Sequence, residues 1–325
     1  MDRPAGHERG DPADGGDGIP PEVSSRPARL AGLVVVANDV DALCDLLVDL
    51  LGGDDAGVGA QGSRCVWFRP GVTVEVVPAS AIEHADEVWA DAGEGLHRLR
   101  FAVDDPESTA SRLGELGYRR AGVTGPVVVH APAGMGGALE LVPRGGVPAA
   151  DRRGLHGGTG DGLLLRIDHV CAPSPDLRRS FAVFGEILGG APVFGGDAPQ
   201  LGVLTLQVRF EGGMKVETLQ PVQPDTAVGN FAERHPARFH HLTMLTDDVP
   251  AAAERLASQG WETIDTDVVS DPDWHETYLR PSRTARVLIQ LGATRVSYTD
   301  ALDGPTMEAV FEGAIDATQY VMVPK

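Results

Sequence analysis

A chain of 325 residues is long for one hydrophobic core and comfortable for two, so two domains of ordinary size are expected. A net charge of -20 argues against nucleic acid and anionic membrane surfaces as partners, because a phosphate binder needs a basic face; a small molecule or a protein is the expected partner. Apolar residues make up 42% of the chain, enough to fold. No apolar run approaches the roughly 18 residues of a membrane span. Cys44, Cys65 and Cys171 are odd in number and follow no apolar leader, which predicts a reduced, cytoplasmic setting.

In chain order, residues 1–29 are rich in Gly, Pro and charge with almost nothing to bury, and predict a disordered segment. A first body follows at 30–143. It reads as strand ("GLVVVAND"), helix ("DVDALCDLLVDLLGG") and strands ending in "VTVEVVPA", then strand ("LHRLRFAV"), helix ("DPESTASRLGELGY") and strands ending in "GALELVPR". The Gly-rich stretch 144–162 reads as a linker. The second body, 163–293, repeats the order with "LRIDHVCA", "DLRRSFAVFGEILGG", "MKVETLQPV", "FHHLTMLT", "DVPAAAERLASQGW" and "ARVLIQLGA". A tail, 294–325, carries a helix start at Asp303 and Pro305 with Met307, Val310, Phe311 and Ile315 at helical spacing. That apolar face has to be covered, either as a strap on the first body or as a contact in a homodimer.

The expected fold is therefore α+β, four βαβββ units in two bodies. Laying one body on the other pairs Gly32 with His169, Glu75 with Glu217, Arg98 with His241 and Glu140 with Gln290. Singly, each residue of the second set is compatible with a hydrogen-bonded core histidine or a solvent-facing strand position. In the first body, Arg98 between Glu75 and Glu140 is expected to form an ion cluster.

The stretches "IDHVCAPSPDL", "MKVETLQPV", "FHHLTM" and "VLIQL" resemble the vicinal oxygen chelate superfamily, nearest its methylmalonyl-CoA epimerase and glyoxalase branch; the resemblance runs over about residues 30–293. It implies two glyoxalase-like half-barrel modules, with one metal ion held in the C-terminal one by His169, Glu217, His241 and Gln290; two imidazoles, a carboxylate and an amide oxygen suit a divalent ion such as Zn, Fe, Co, Ni or Mn, and the first body, with Gly32 and Arg98 at two of the positions, cannot bind it. It also implies a substrate that offers two adjacent oxygens. Two departures matter. Gln290 stands where epimerases, glyoxalases and extradiol dioxygenases place glutamate, and an amide cannot serve as a general base. The carboxylate ligand, Glu217, lies on the earlier strand.

Period-two geometry puts Lys215 on the face of Glu217, Cys171 on that of His169 and Thr243 on that of His241, with His240 turned the other way. Lys215 can steady an anionic substrate; Cys171 and Thr243 read as small core residues. The run "SDPDWHETYLRPSRTARV" offers His275 or Glu276 as a base, with Tyr278, Arg280 and Arg283 as substrate-binding groups. The expected activity is that of an isomerase or lyase acting through a metal-stabilised enolate, with Glu217, His275 or Glu276 moving the proton. The rivals are a tandem non-haem iron dioxygenase and a small-molecule binding or resistance protein.

Overall fold

In the computed structural model of the chain, the described residues are 26–69, 71–81, 93–122, 126–146, 166–271, 274–294, 296–297, 304–317 and 323–324. The expected disorder over 1–29 and the linker 144–162 fall largely outside them, as does Asp303. The first body runs β1 (Arg29–Ala37), α1 (Val40–Asp45), β2 (Asp54–Val58), β3 (Arg64–Phe68), β4 (Val72–Pro78), β5 (Gly95–Val103), α2 (Pro106–Glu115), β6 (Arg119–Ala121), β7 (Val127–His130) and β8 (Ala138–Pro143). The second runs β9 (Arg166–Pro173), α3 (Leu177–Phe181), β10 (Ala191–Ala198), β11 (Val203–Arg209), β12 (Lys215–Pro221), α4 (Ala227–Arg234), β13 (His241–Leu245), α5 (Val249–Ser258), β14 (Thr263–Asp271), β15 (Trp274–Leu279) and β16 (Leu288–Thr294). β17 (Val296–Ser297), α6 (Gly304–Phe311) and β18 (Val323–Pro324) complete the described chain.

Each body is one eight-stranded sheet, ordered β2-β3-β4-β1-β5-β8-β7-β6 and β10-β11-β12-β9-β13-β16-β15-β14. In every βαβββ unit the first and last strands are neighbours and parallel: β1 with β4, β5 with β8, β9 with β12 and β13 with β16. The two units of a sheet join through their first strands, β1 to β5 and β9 to β13, antiparallel. Four adjacent central strands thus bring four residues distant in sequence side by side, which is the geometry the site uses.

The helices form where the sequence signals them. Asp39, Asp105, Asp176 and Asp248 each cap a helix by accepting from a backbone N–H of its first turn, and Pro106 and Pro250 sit in the first turn where no N–H is needed. The two long apolar runs, 39–53 and 176–190, do not stay α-helical; α1 and α3 pass into π-helical stretches at Leu46–Leu50 and Ala182–Ile187. α4 was not apparent in the sequence. It is capped by Thr226 and inserted between the two units of the second sheet.

One apolar core runs through both bodies, with Phe101 of β5 packed edge-on against Phe210 at 5.0 Å and near Phe184 at 6.4 Å. Arg144 ties the bodies at the rim, bonding Asp104 and, at 2.8 Å, Glu211. The tail helix α6 docks on the second body, not as a strap on the first. α6 buries Met307 and Val310 against β10 and β11 of the second sheet, and Phe311 meets Phe181 at 5.7 Å, so the chain covers that face itself. Gly195 and Val310 are in close contact there, which the missing Cβ of glycine permits. Among the described residues no helix is long and apolar enough to cross a membrane, and all three cysteines are free.

Candidate metal centre

Strand register brings the four second-body positions together. His169 on β9 pairs with Thr243 on β13, Thr243 with Gln290 on β16, and Glu217 on β12 with Cys171 on β9. Glu217 Oε2 lies 3.5 Å from His169 Nε2 and 3.5 Å from His241 Nε2, and the two imidazoles cross at 70° with centroids 5.7 Å apart. Ligand atoms of His169, Glu217 and His241 all fall within 4.8 Å of one another, a spacing that fits one ion. Cys171, His240 and His241 form a second such group, sharing His241.

The ring orientations have identifiable causes. A β-bulge at Asp168 interrupts the β9–β13 register between Ile167 and His169, bringing the Asp168 side chain alongside that of His169. His169 donates its Nδ1 proton to Asp168 Oδ2 at 2.9 Å, which leaves Nε2 toward Glu217. The same Oδ2 accepts from Lys215 Nζ at 2.8 Å. Lys215 is therefore buried in an ion pair with Asp168, instead of standing ready for a substrate anion as its position beside Glu217 suggested. His241 Nδ1 lies 2.8 Å from His240 Nδ1. Burial drives His240 down to about 3, so it is neutral and can accept the His241 Nδ1 proton. His241 Nε2 is then a buried lone pair aimed at Glu217, with no hydrogen-bond partner among the described residues.

Glu217 is 13% exposed; its other oxygen accepts from Gln207 Nε2 at 3.1 Å and Thr205 Oγ1 at 3.3 Å. Burial opposes its charge, but the two histidines outweigh burial and hold it well below the usual carboxylate range. Burial likewise opposes charge on His169, while Glu217 and Asp168 outweigh it and raise His169. His241 moves the other way, lowered mainly by burial. A buried anionic oxygen flanked by two imidazole nitrogens is a set that prefers a cation at its centre.

Gln290 is linked to this set through Thr243, whose hydroxyl donates to Gln290 Oε1 at 2.5 Å and lies 2.8 Å from His169 Nε2. Its amide donates to Glu276 Oε2 at 2.6 Å and to the Tyr278 hydroxyl at 2.9 Å. Glu276 also accepts from Trp274 Nε1 at 2.6 Å and from Tyr278 at 3.0 Å. The Trp274 ring lies where a Cβ on Gly292 would stand 2.6 Å from it, so this glycine allows the aromatic lid over β16.

The other candidates divide along the strand pleat. Trp274, Glu276 and Tyr278 share one face of β15, where Glu276 and Tyr278 bond Gln290; His275 alternates to the opposite face with the buried Thr277 and Leu279, away from the cluster. Arg280 is exposed, with Glu262 3.9 Å away, and Arg283 stacks over Trp261 at 4.1 Å, so neither arginine reaches the cluster. Asp168, Gln207 and Thr205 are site residues that the sequence did not nominate, and Thr243, read there as a small core residue on the His241 face, bonds Gln290. Asp168 stands next to His169, but only the bulge, which leaves no sequence signature here, turns it inward.

The first sheet repeats the register with other chemistry. Gly32 faces Arg100 as His169 faces Thr243, and Arg98 takes the place of His241. The ion cluster forms, but Arg100 is its centre: it bonds Glu75 at 2.8 Å and Glu140 at 3.0 Å, while Arg98 reaches only Glu140 of the two, at 3.2 Å. A Cβ on Gly32 would lie 3.6 Å from Arg100 Nη1, so the guanidinium lies beside the place of a first-strand ligand.

Residues 168–278 match the family model of the Glyoxalase/Bleomycin resistance protein/Dioxygenase superfamily. The chain is 31% identical over 102 residues to the ethylmalonyl-CoA/methylmalonyl-CoA epimerase of Cereibacter sphaeroides, covering 30% of this chain and 73% of that one. It is 27% identical over 130 residues to the human mitochondrial methylmalonyl-CoA epimerase, covering 39% of this chain and 73% of that one. A triple mutant of 4-hydroxymandelate synthase from Streptomyces coelicolor superposes with a TM-score of 0.57 at 16% identity, over 89% of this chain and 98% of that chain, a likeness of fold that spans both sheets. The chain belongs to the Glyoxalase/Bleomycin resistance protein/Dioxygenase superfamily, as a tandem member built of two glyoxalase-like modules.

Proposed function

We infer that this protein is a divalent-metal-dependent enzyme of the vicinal oxygen chelate type, with its ion held by His169, Glu217 and His241 and with Gln290 as a fourth oxygen donor. The observation that supports the site is the buried His241 Nε2 without a hydrogen-bond partner among the described residues, facing a carboxylate oxygen shared with His169. When bound, a divalent cation there supplies Lewis-acid stabilisation of negative charge on two adjacent substrate oxygens. The activity that best fits the epimerase relatives is isomerisation or lysis through removal of a proton alpha to a carbonyl of a small carbonyl or acyl substrate.

The chain's own groups would divide the remaining work. Asp168 and His240 fix the two imidazoles, Gln207 and Thr205 hold Glu217, and the Trp274 indole N–H holds Glu276. Glu276 is the base on the side of Gln290, and Glu217 is the second carboxylate able to carry a proton. His275 faces away and is not retained as a base. Gln290 orients Glu276 and Tyr278 and cannot take a proton itself.

The test is substitution of His241 by Ala, read by metal content and by solvent deuterium incorporation into methylmalonyl-CoA, whose alpha proton is the one at issue. Loss of both supports the reading; unchanged metal content and exchange contradict it. A second reading, a non-haem iron dioxygenase, draws on the donor set, because two histidines and one carboxylate with open positions also describe oxygen-activating iron. Oxygen consumption with a catechol or 2-oxo acid, absent in the Glu217→Ala variant, would favour it over isomerisation.

A further inference from the structure

His241 has two sides. Its Nε2 faces Glu217, and its Nδ1 faces His240, which forms part of the wall of a separate pocket of about 450 Å³ between the two bodies. That volume is in the range that small molecules occupy. The first body contributes Asn38 and Glu94; the second contributes Phe231, His235, Arg238 and Arg286.

The charge in this pocket is unusual for the chain. Two guanidiniums face it in a protein of net charge -20, and the single carboxylate among the lining residues, Glu94, is already accepting from the Asn38 N–H at 2.8 Å. Arg238 is half-buried, packed over Gly93 and Gly95, and among the described residues neither arginine side chain is in an ion pair or hydrogen bond. Burial and then Arg286 depress Arg238, with Glu94 opposing, so the two cations feel each other across the pocket. Bringing guanidiniums together out of water costs free energy unless an anion is shared between them.

The loop that presents Arg286 is itself held under strain. Ala285 and Arg286 have φ of 49° and 61°, consecutive non-glycine residues in the left-handed region. Opposite them, the rings of Phe231 and His240 meet edge-to-face at 4.8 Å and, with Leu288, make a wall for a flat or apolar portion of a ligand.

We propose that this junction pocket is a binding site for a small organic anion, a carboxylate or a phosphate gripped by Arg238 and Arg286, separate from the metal centre and on the other side of His241. The site does not require the metal, so it stands or falls independently of the enzymatic reading. Full-length protein is titrated calorimetrically at low ionic strength with inorganic phosphate and, separately, with malonate, which distinguishes the two anion chemistries. One saturable site is expected for at least one of them. Arg286→Ala, at an exposed loop position, should weaken it by about tenfold or more, and Arg286→Glu should remove it. Arg238→Ala should weaken it likewise, and His169→Ala should leave it unchanged. Absence of saturable binding with both anions, binding that survives Arg286→Glu, or binding lost in His169→Ala would each overturn the proposal.

Discussion

Replacing Asp168 by Asn tests how the centre is held. Asp168 Oδ2 accepts from both His169 Nδ1 at 2.9 Å and Lys215 Nζ at 2.8 Å, and the carboxylate side chain is 6% exposed, so one substitution disturbs two interactions that can be separated. Loss of the carboxylate that orients a ligating histidine weakens metal binding by about 10- to 100-fold, or roughly 1.4–2.7 kcal/mol. Leaving Lys215 buried without its counter-charge adds about 3 kcal/mol of destabilisation. The two effects part in the double variant Asp168→Asn with Lys215→Met, which removes the stranded charge. Stability by urea unfolding should largely return, while affinity for a divalent metal, measured by competition with a chromophoric chelator, should not. Single-variant metal affinity within about twofold of wild type would refute the orienting role. Full recovery of affinity in the double variant would show that the lysine charge, not the histidine orientation, was responsible.

Three further outcomes are expected. Arg100→Met removes the guanidinium that bridges Glu75 and the 3% exposed Glu140, leaving Glu140 its bond to Arg98, and should lower stability by about 1–3 kcal/mol in urea unfolding, while metal content stays at the wild-type value because the residues assigned to the ion lie in the second sheet. His97, 1% exposed and donating to the Gly93 carbonyl at 2.8 Å, is lowered from 6.5 to about 4 by burial, with Arg238 adding to the effect. Because the unfolded chain binds this proton first, its contribution is fully present above about pH 6.5 and is lost as pH falls toward 4, up to about 3 kcal/mol; His97→Gln should flatten that part of the stability profile. Val310→Ala at the α6 contact should cost about 2 kcal/mol and lower the thermal midpoint, and no change would mean that the tail does not dock on β10 in solution.

The fold was legible because its signals are local and repeated. Strand and helix runs in a doubled order were enough to give four βαβββ units and the pairing of Gly32 with His169 and Arg98 with His241, which the strand register repeats. What was not legible depends on backbone irregularity or on side-chain reach. The bulge that turns Asp168 inward moves one residue against the alternation, so Lys215 was assigned to a substrate when it belongs to a carboxylate one strand away. Arg100 shares a strand face with Arg98, and only side-chain length decides which of them bridges Glu75 and Glu140. Along β15, Glu276 and Tyr278 reach Gln290 and His275, on the alternate face, does not; the register of that strand could not be fixed from composition. Arg280 and Arg283 were placed at the site by their nearness in sequence, yet the turn at Pro281–Arg283 carries both outward.

The most direct test of the central claim is elemental analysis of protein purified without chelators, beside His169→Ala and Glu217→Ala. About one divalent ion per wild-type chain, lost in both variants, is the predicted result, with zinc, cobalt, nickel or manganese favouring the isomerase or lyase and iron favouring the dioxygenase. No ion after reconstitution, or an ion retained in both variants, would contradict the assignment of His169, Glu217 and His241 as its ligands.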